Sequence, residues 1–209
     1  MELQIESASY SSCTLIFEDI APPVTEAALL AVGAHIALIS SPGEGCEVYD
    51  SGERAELQAW LNGQGRGVAI TGTLGDAGCG TYTDRYELAT LTGVTLSTMN
   101  PGTANQPLIT RTAGWFWTDI LATSFASGAS MVADGVLGLC TGAAVDALVG
   151  DSGVEPPRQA VAYTANPAAP CLAGVPMDHK GAWVPFQPED GGDPTDRLFL
   201  YNVLDWLKE

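Results

Sequence analysis

The chain has few positively charged residues. Its 209 residues include 8 lysines and arginines against 25 aspartates and glutamates, which gives a formal net charge of −17. A chain this acidic has no general attraction for phosphate backbones or for anionic lipid surfaces. The composition therefore argues against a nucleic-acid partner and against binding to a membrane surface.

The sequence also lacks a long hydrophobic run. The longest nearly apolar stretch, Ala27 to Ile39, contains His35 and is too short to cross a bilayer. No basic segment precedes an apolar one near the start, so we expect neither membrane insertion nor a signal peptide. The hydrophobic content of 46% predicts a globular protein, and the length predicts a single domain over residues 1–209.

Cysteine pairs at metal-binding or redox spacing are missing as well. The five cysteines are far apart and none forms a C-x-x-C motif: Cys13, Cys46, Cys79, Cys140 and Cys171. This spacing argues against a thioredoxin-like site and against a zinc ribbon. Cysteines in glycine-rich loop sequences of an acidic chain favour an oxidising compartment, extracellular or periplasmic, and a reduced cytoplasmic protein is the alternative. We expect no cofactor, and neither the ligand nor the oligomeric state follows from the sequence.

The clearest structural pattern is a strand–helix–strand unit. The apolar runs Ile36–Ser40 and Gly67–Thr71 have the length and composition of strands that are buried on both faces. Between them the sequence predicts a helix with a capping box and one apolar face, formed by Asp50, Glu53, Leu57, Trp60 and Leu61. This unit predicts an α/β fold, a three-layer sandwich with a mostly parallel, flavodoxin-like sheet.

Weaker patterns flank this unit. Short helices are predicted over Glu26–Val32 and Trp115–Leu121, and a longer closing helix over Asp196–Lys208. Residues 131–163 alternate weakly between apolar and polar, which predicts a partly antiparallel extension of the sheet. The segment Gly181–Phe186 is typical of a strand, and its proline favours an edge position.

Two stretches carry a resemblance to a known superfamily. Residues 51–73 run from the predicted helix through glycines into the sequence Gly67-Val-Ala-Ile-Thr-Gly-Thr, and Gly181–Phe186 precedes a helix that ends in Asp205-Trp-Leu. Together they resemble the class I glutamine amidotransferase-like superfamily, especially its ThuA-like and other non-amidotransferase branches. The resemblance implies the α/β sandwich with a partly antiparallel extension. Because the superfamily includes enzymes and inactive binding modules, it leaves the activity open.

The sequence departs from the amidotransferase pattern at the nucleophile. In that pattern a G-x-C-x-G turn directly follows the strand that is Val68–Thr71 here, but this chain continues as Thr71-Gly-Thr-Leu-Gly75, and no His-Pro-Glu follows. A threonine hydroxyl attacks only when an adjacent base takes its proton, and both histidines are distant in sequence. We therefore predict a non-catalytic ligand-binding or interaction domain of a larger, extracytoplasmic protein. Its crevice would be lined by Thr71, Gly72, Thr73 and Asp76.

The alternative prediction is a cysteine-dependent hydrolase or amidase. Gly138-Leu-Cys-Thr-Gly142 fits G-x-C-x-G, and His179 lies downstream with Asp178 or Glu189 available to orient its ring. A cysteine beside an imidazolium forms a thiolate readily, and a turn that opens a helix would present it. Cys140 and Cys171 could equally form a disulfide, which would remove the nucleophile.

Two further groups of residues have a functional and a structural interpretation. Four carboxylates lie within eight residues and could hold a hard cation, although capping of the closing helix is favoured: Glu189, Asp190, Asp193 and Asp196. Four large aromatic residues could form a carbohydrate platform, although a place in the core is favoured: Trp115, Phe116, Trp117 and Trp183.

Overall fold

The computed structural model describes residues 9–10, 13–14, 18–21, 23–40, 50–72, 87–98, 102–103, 107–112, 114–128, 131–132, 135–151, 154–165, 171, 178–189 and 193–209. Of the predicted site residues, Thr73 and Asp76 lie outside these ranges. Across the described ranges, no helix is both long enough and apolar enough to cross a membrane.

The described elements alternate between helices and strands in the first half of the chain, and strands dominate the second half. The helices are α1 (Glu26–Ala31), α2 (Ser51–Leu61) and α3 (Pro194–Lys208), with further helical turns at residues 87–92. The strands are β1 (Ser9–Tyr10), β2 (Cys13–Thr14), β3 (Ile36–Ser40), β4 (Gly67–Thr71), β5 (Val94–Thr98), β6 (Gly102–Thr103), β7 (Leu108–Arg111), β8 (Ser124–Ala126), β9 (Met131–Val132), β10 (Gly135–Leu139), β11 (Ala143–Asp151), β12 (Val154–Thr164) and β13 (Lys180–Val184).

Seven strands form one mixed sheet in the order β3-β4-β13-β12-β11-β7-β8. β3 and β13 both pair with β4 in parallel, so Ser40, Thr71 and Val184 end at the same edge, which we call the carboxyl edge. The opposite edge, where these three strands begin, is the amino edge. The other four strands continue the sheet with antiparallel pairings. The predicted α/β fold with an antiparallel extension is confirmed, and the antiparallel part is larger than expected.

Each helix begins where the sequence supplies a capping side chain. Thr25 accepts the backbone N–H of Ala28 at the start of α1, and Asp193 accepts that of Thr195 at the start of α3. At α2 the predicted capping box is present, with Asp50 as the N-cap. Because these caps satisfy N–H groups that a helix cannot satisfy itself, local sequence determines where the three helices start.

The sheet lies between two helical layers, and its side chains alternate between them. Val68, Ile70 and Trp183 pack in the cluster that includes α1 and α2. Their neighbours Ala69 and Ala182 pack in the cluster that includes α3. This alternation is the period of two expected of strands that are buried on both faces, and it confirms the three-layer arrangement.

The predicted helix over Trp115–Leu121 is wrong, because residues 114–121 form turns and bends. The backbone N–H groups of Trp115 and Phe116 donate to the carboxylate of Asp146, at 2.7 and 3.0 Å. The start of this segment is therefore attached to a strand about thirty residues away in sequence. The prediction that Gly181–Phe186 forms an outermost strand of the sheet is also wrong. β13 lies between β4 and β12, and Pro185 follows its last residue.

Candidate ligand-binding site at the carboxyl edge of the sheet

Three polar side chains meet where the parallel strands end. Ser40 is the last residue of β3 and Thr71 the last residue of β4. Both hydroxyls donate to the same oxygen, Oε1 of Glu189, at 2.5 Å each. Glu189 reaches this position because β13 runs parallel to β4 and delivers the following turn to the same edge. We call Ser40, Thr71, Gly72 and Glu189 the carboxyl-edge cluster.

Gly72 gives the cluster its backbone shape. Its φ is +72°, a conformation that glycine adopts without strain and that other residues rarely adopt. Its N–H donates to the carbonyl oxygens of Val184 and Phe186, at 2.9 Å each. The chain leaving β4 is thereby attached to the chain leaving β13. This attachment places Thr71, which is fully buried, beside the half-buried Glu189.

No imidazole lies near this cluster. The chain has two histidines, and both lie at the amino edge: Gly67 N–H donates to the carbonyl oxygen of His35, and His179 directly precedes β13. A strand rises about 3.3 Å per residue, so the length of β4 separates this edge from Thr71 by roughly 13 Å. A carboxylate is a weaker base than an imidazole at neutral pH, so the cluster holds two hydroxyls without a strong base.

The structure does not assemble the predicted Cys140–His179–carboxylate set at a free thiol. Cys140 is joined to Cys171 by a disulfide with a Cα–Cα distance of 5.2 Å. The residue lies in the connection from β10 to β11, so the predicted turn leads into a strand and the helix expected after it is absent. A disulfide sulfur carries no thiolate charge. Catalysis by Cys140 and His179 stays a prediction, and it requires that this disulfide first be reduced.

His179 has a buried environment of its own. Its Nε2–H donates to the carbonyl oxygen of Leu91 at 2.7 Å, and its ring meets Tyr163 edge to face. Burial lowers the pKa of His179 from its ordinary value of 6.5, although the Leu91 carbonyl and the charge of Asp178 act in the other direction. Glu189, one of the two carboxylates predicted to orient this ring, lies at the opposite edge and binds Ser40 and Thr71.

The acidic segment before α3 divides into separate structural roles. Glu189 belongs to the carboxyl-edge cluster, and Asp193 caps α3. Asp196 is fully buried and accepts the backbone N–H of Gly128 at 2.8 Å. Burial raises the pKa of Asp196, and the hydrogen bonds from Ser127 and Gly128 only partly offset this effect. Asp190 lies outside the described residues. Three of the four carboxylates thus hold the protein's own groups.

Ser40 and Glu189 are the residues that the sequence analysis did not assign to this site. Ser40 ends an apolar run just as Thr71 does, so the rule that predicted Thr71 also applies to it. The sequence gives less reason to place Glu189 in this site, because the strand before it was expected to be an outermost strand of the sheet. Its true neighbours are 118 and 149 residues away in sequence.

Comparison with known proteins identifies the fold and nothing finer. No family model matches the chain, and no curated protein does. Among solved structures, one described as a GMP synthase subunit from Thermoplasma acidophilum matches with a TM-score of 0.54 and 10% identity, over 88% of this chain and 77% of that one. One described as a ThuA-like protein from Bacteroides uniformis matches with a TM-score of 0.50 and 13% identity, over 83% and 69%. At such low identity the likeness shows a shared α/β fold.

Proposed function

We propose that the chain is a non-catalytic ligand-binding or interaction domain and a distant member of the class I glutamine amidotransferase-like superfamily. The fold shared with the two solved structures supports the superfamily. We infer the absence of catalysis from one observation: both imidazoles lie at the amino edge, opposite Thr71. In this proposal residues 1–209 form one domain, and its place within a larger protein stays a prediction.

The residues after β13 also support this proposal. They read Gln187-Pro188-Glu189, which differs from His-Pro-Glu at the first position alone. The glutamate is present, but a glutamine stands where that motif has its imidazole. Glutamine cannot take a proton from a hydroxyl at neutral pH. A chain that keeps the carboxylate and lacks both the cysteine and the histidine keeps a polar cluster without an attacking group.

The proposed ligand is a small molecule that carries hydrogen-bond donors. Glu189 is a carboxylate that accepts two hydroxyl donors, so it favours amines, amides and hydroxyls over anions. The chain's net charge of −17 acts in the same direction, because it repels anions at a distance. Thr73 and Asp76, predicted as further lining residues, belong to this proposal.

An extracytoplasmic location is the second part of the proposal. The Cys140–Cys171 disulfide supports it, because such bonds persist chiefly in oxidising compartments. The test is to trap thiols by alkylation as the source cells are opened, followed by peptide mapping without reduction. We expect a linked Cys140–Cys171 peptide. Two alkylated cysteines would place the protein in a reducing compartment.

The test of the binding site combines a hydrolysis assay with a thermal-shift screen. Native protein should hydrolyse neither p-nitrophenyl acetate nor glutamine above the buffer rate. In a panel of amines, amides and polyols, a true ligand at 100 times its Kd should stabilise the protein by about 2.7 kcal/mol, or roughly 5–10 °C in Tm.

Variants separate this site from unspecific effects. The shift should disappear in Glu189→Gln and remain in Glu18→Gln, whose glutamate is exposed and lies outside the cluster. Turnover that is lost in Thr71→Val would contradict the proposal, because it would make Thr71 a catalytic residue.

A further inference from the structure

We propose that the Cys140–Cys171 disulfide and the His179 imidazole form one redox- and pH-sensitive latch on the turn at residues 91–93. The three side chains and this turn are what we call the latch, and they lie at the amino edge of the sheet. Reduction of the disulfide lets acid open the turn at a higher pH than in the oxidised protein. The sequence grouped Cys140 with His179 as a catalytic pair, and the structure connects them through this turn instead.

The turn is held from two sides. On one side the Cys140 N–H donates to the carbonyl oxygen of Gly93 at 2.9 Å. On the other side His179 Nε2–H donates to the carbonyl oxygen of Leu91 at 2.7 Å. The disulfide joins Cys140 to Cys171, in the segment that leads to His179. Because this cross-link closes a ring through the turn, it reduces the chain entropy that is gained when the turn opens.

One buried ring lies between the parts of the latch. Gly93 has a φ of +81°, and a side chain in its place would overlap that of Tyr163. The same ring meets the His179 ring edge to face, with centroids 5.8 Å apart. Tyr163 is fully buried, and both cysteines pack against the core cluster that contains it. Since such packing is dense, the turn and the imidazole cannot move independently of each other.

The closed latch cannot accommodate a protonated imidazole. His179 is 5% exposed, and its Nε2–H already donates to the turn. Its Nδ1 is buried and has no hydrogen-bond partner among the residues that the structure describes. A proton on Nδ1 would therefore create a buried, unsatisfied N–H in a charged ring, in agreement with the lowered pKa of His179. Opening of the turn lets water reach Nδ1, so protonation favours the open turn.

The charged groups around the ring leave this conclusion unchanged. The titratable groups that the described elements bring to the ring are Asp178 beside it, Tyr163 on β12, Glu87 in the helical turns and Lys180 at the start of β13. The charge of Asp178 favours protonation but does not outweigh burial. Glu87 pairs with Arg54, and the Lys180 ammonium donates to a carbonyl oxygen of α3. Burial is thus the cause that opening of the turn would relieve.

Reduction removes the restraint on the other side of the turn. Cys140 and Cys171 are both half-buried, so a small dithiol can reach the bond. One thiolate of the dithiol attacks a sulfur and breaks the S–S bond, and the second thiol then displaces that sulfur. Two electrons and two protons pass to the protein, which gains two thiols, and the dithiol closes to a disulfide. The open turn then gains chain entropy, so less acid is needed to populate it.

The first measurement follows the histidine Cε1–H signals by NMR over about pH 4–8. The samples are the native protein, the native protein reduced with dithiothreitol, and Cys140→Ser/Cys171→Ser. Breaking the bond should raise the proton affinity of His179 about 3- to 10-fold, or about 0.5–1 unit in pKa. The exposed His35 is the internal control and should titrate at one pH in all three samples. If the double variant does not fold, the reduced native protein gives the same comparison.

The second measurement reports on the turn itself. It is hydrogen exchange of the backbone amide at position 140, which donates to Gly93. Without the disulfide, protection of this amide should fall about 10-fold per pH unit below the pKa of His179, and with it protection should stay constant to lower pH. His179→Gln should abolish this pH dependence.

Three results would overturn the proposal. One is that His179 titrates at the same pH with and without the bond. Another is protection at position 140 that falls by the same factor at every pH, because the disulfide would then be a structural cross-link only. The third is a further shift of His179 when the double variant is reduced, which would assign the effect to other cysteines. None of these results bears on the carboxyl-edge cluster, which lies at the opposite edge of the sheet.

Discussion

Replacing Asp146 should destabilise the fold, because its buried carboxylate anchors the segment that carries Trp115 and Phe116. Its carboxylate accepts two backbone N–H groups, from Trp115 and Phe116, and its own carbonyl oxygen accepts that of Thr112. Each hydrogen bond to a charged group contributes about 1.5–3 kcal/mol. Asp146→Ala removes two such bonds and leaves the Phe116 N–H buried, while it also removes a carboxylate whose burial was unfavourable. We expect a net loss of about 3 kcal/mol in the free energy of unfolding.

The assay is urea or thermal unfolding followed by near-ultraviolet circular dichroism, which reports on the indoles. A loss of about 3 kcal/mol lowers the Tm by roughly 6–12 °C for a chain of this size. Asp146→Asn keeps one acceptor oxygen and should lose about half as much. Asp119→Ala is the control, because Asp119 is an exposed aspartate in the same segment. An Asp146→Ala protein no less stable than the Asp119→Ala protein would refute this reasoning.

Three further predictions concern buried ionisable groups and the disulfide. Because the pKa of His179 is lowered from 6.5, its contribution to stability is present above pH 6.5 and lost as the pH falls through the lowered value; urea midpoints of His179→Gln should lack this acid dependence. Because the pKa of Asp196 is raised from 3.8, its contribution to stability is present below pH 3.8 and lost as the pH rises through the raised value. The free energy of unfolding of Asp196→Asn, compared with that of the native protein, should therefore change with pH only between 3.8 and the raised pKa. The Cys140–Cys171 bridge closes a separation of 31 residues, so replacing both with serine should cost about 3–4 kcal/mol; equal stability with and without reductant would contradict this.

The parts of the fold that follow from sequence are those fixed by neighbours in the chain. The capping box of α2 and the strands β3 and β4 are all present at the predicted residues. Each depends on a local signal, either a side chain three residues from the amide it binds or a short run of apolar residues. The sequence also predicted that Thr71 lies at the carboxyl edge, because parallel strands that are joined by a helix end at the same edge of the sheet.

The parts that did not follow depend on contacts between distant residues. The segment at Trp115 has aromatic residues typical of an amphipathic helix, but it forms turns, and the Trp115 amide binds the Asp146 carboxylate 31 residues away. The internal position of β13 arises from pairing with β12, and no local pattern reports which strands will be neighbours. Glu189 joins the site for the same reason, since its partner Thr71 is 118 residues away.

The most direct test of the central claim is a search for an attacking group at the carboxyl edge. Native, disulfide-bonded protein is treated with a fluorophosphonate, which modifies activated hydroxyls, and is then analysed by intact mass and peptide mapping. With both imidazoles at the opposite edge and Thr71 fully buried, we expect no stoichiometric adduct on Thr71. An adduct on Thr71 or on Thr73, lost in Glu189→Gln, would show that the carboxylate activates a hydroxyl and would contradict a non-catalytic crevice.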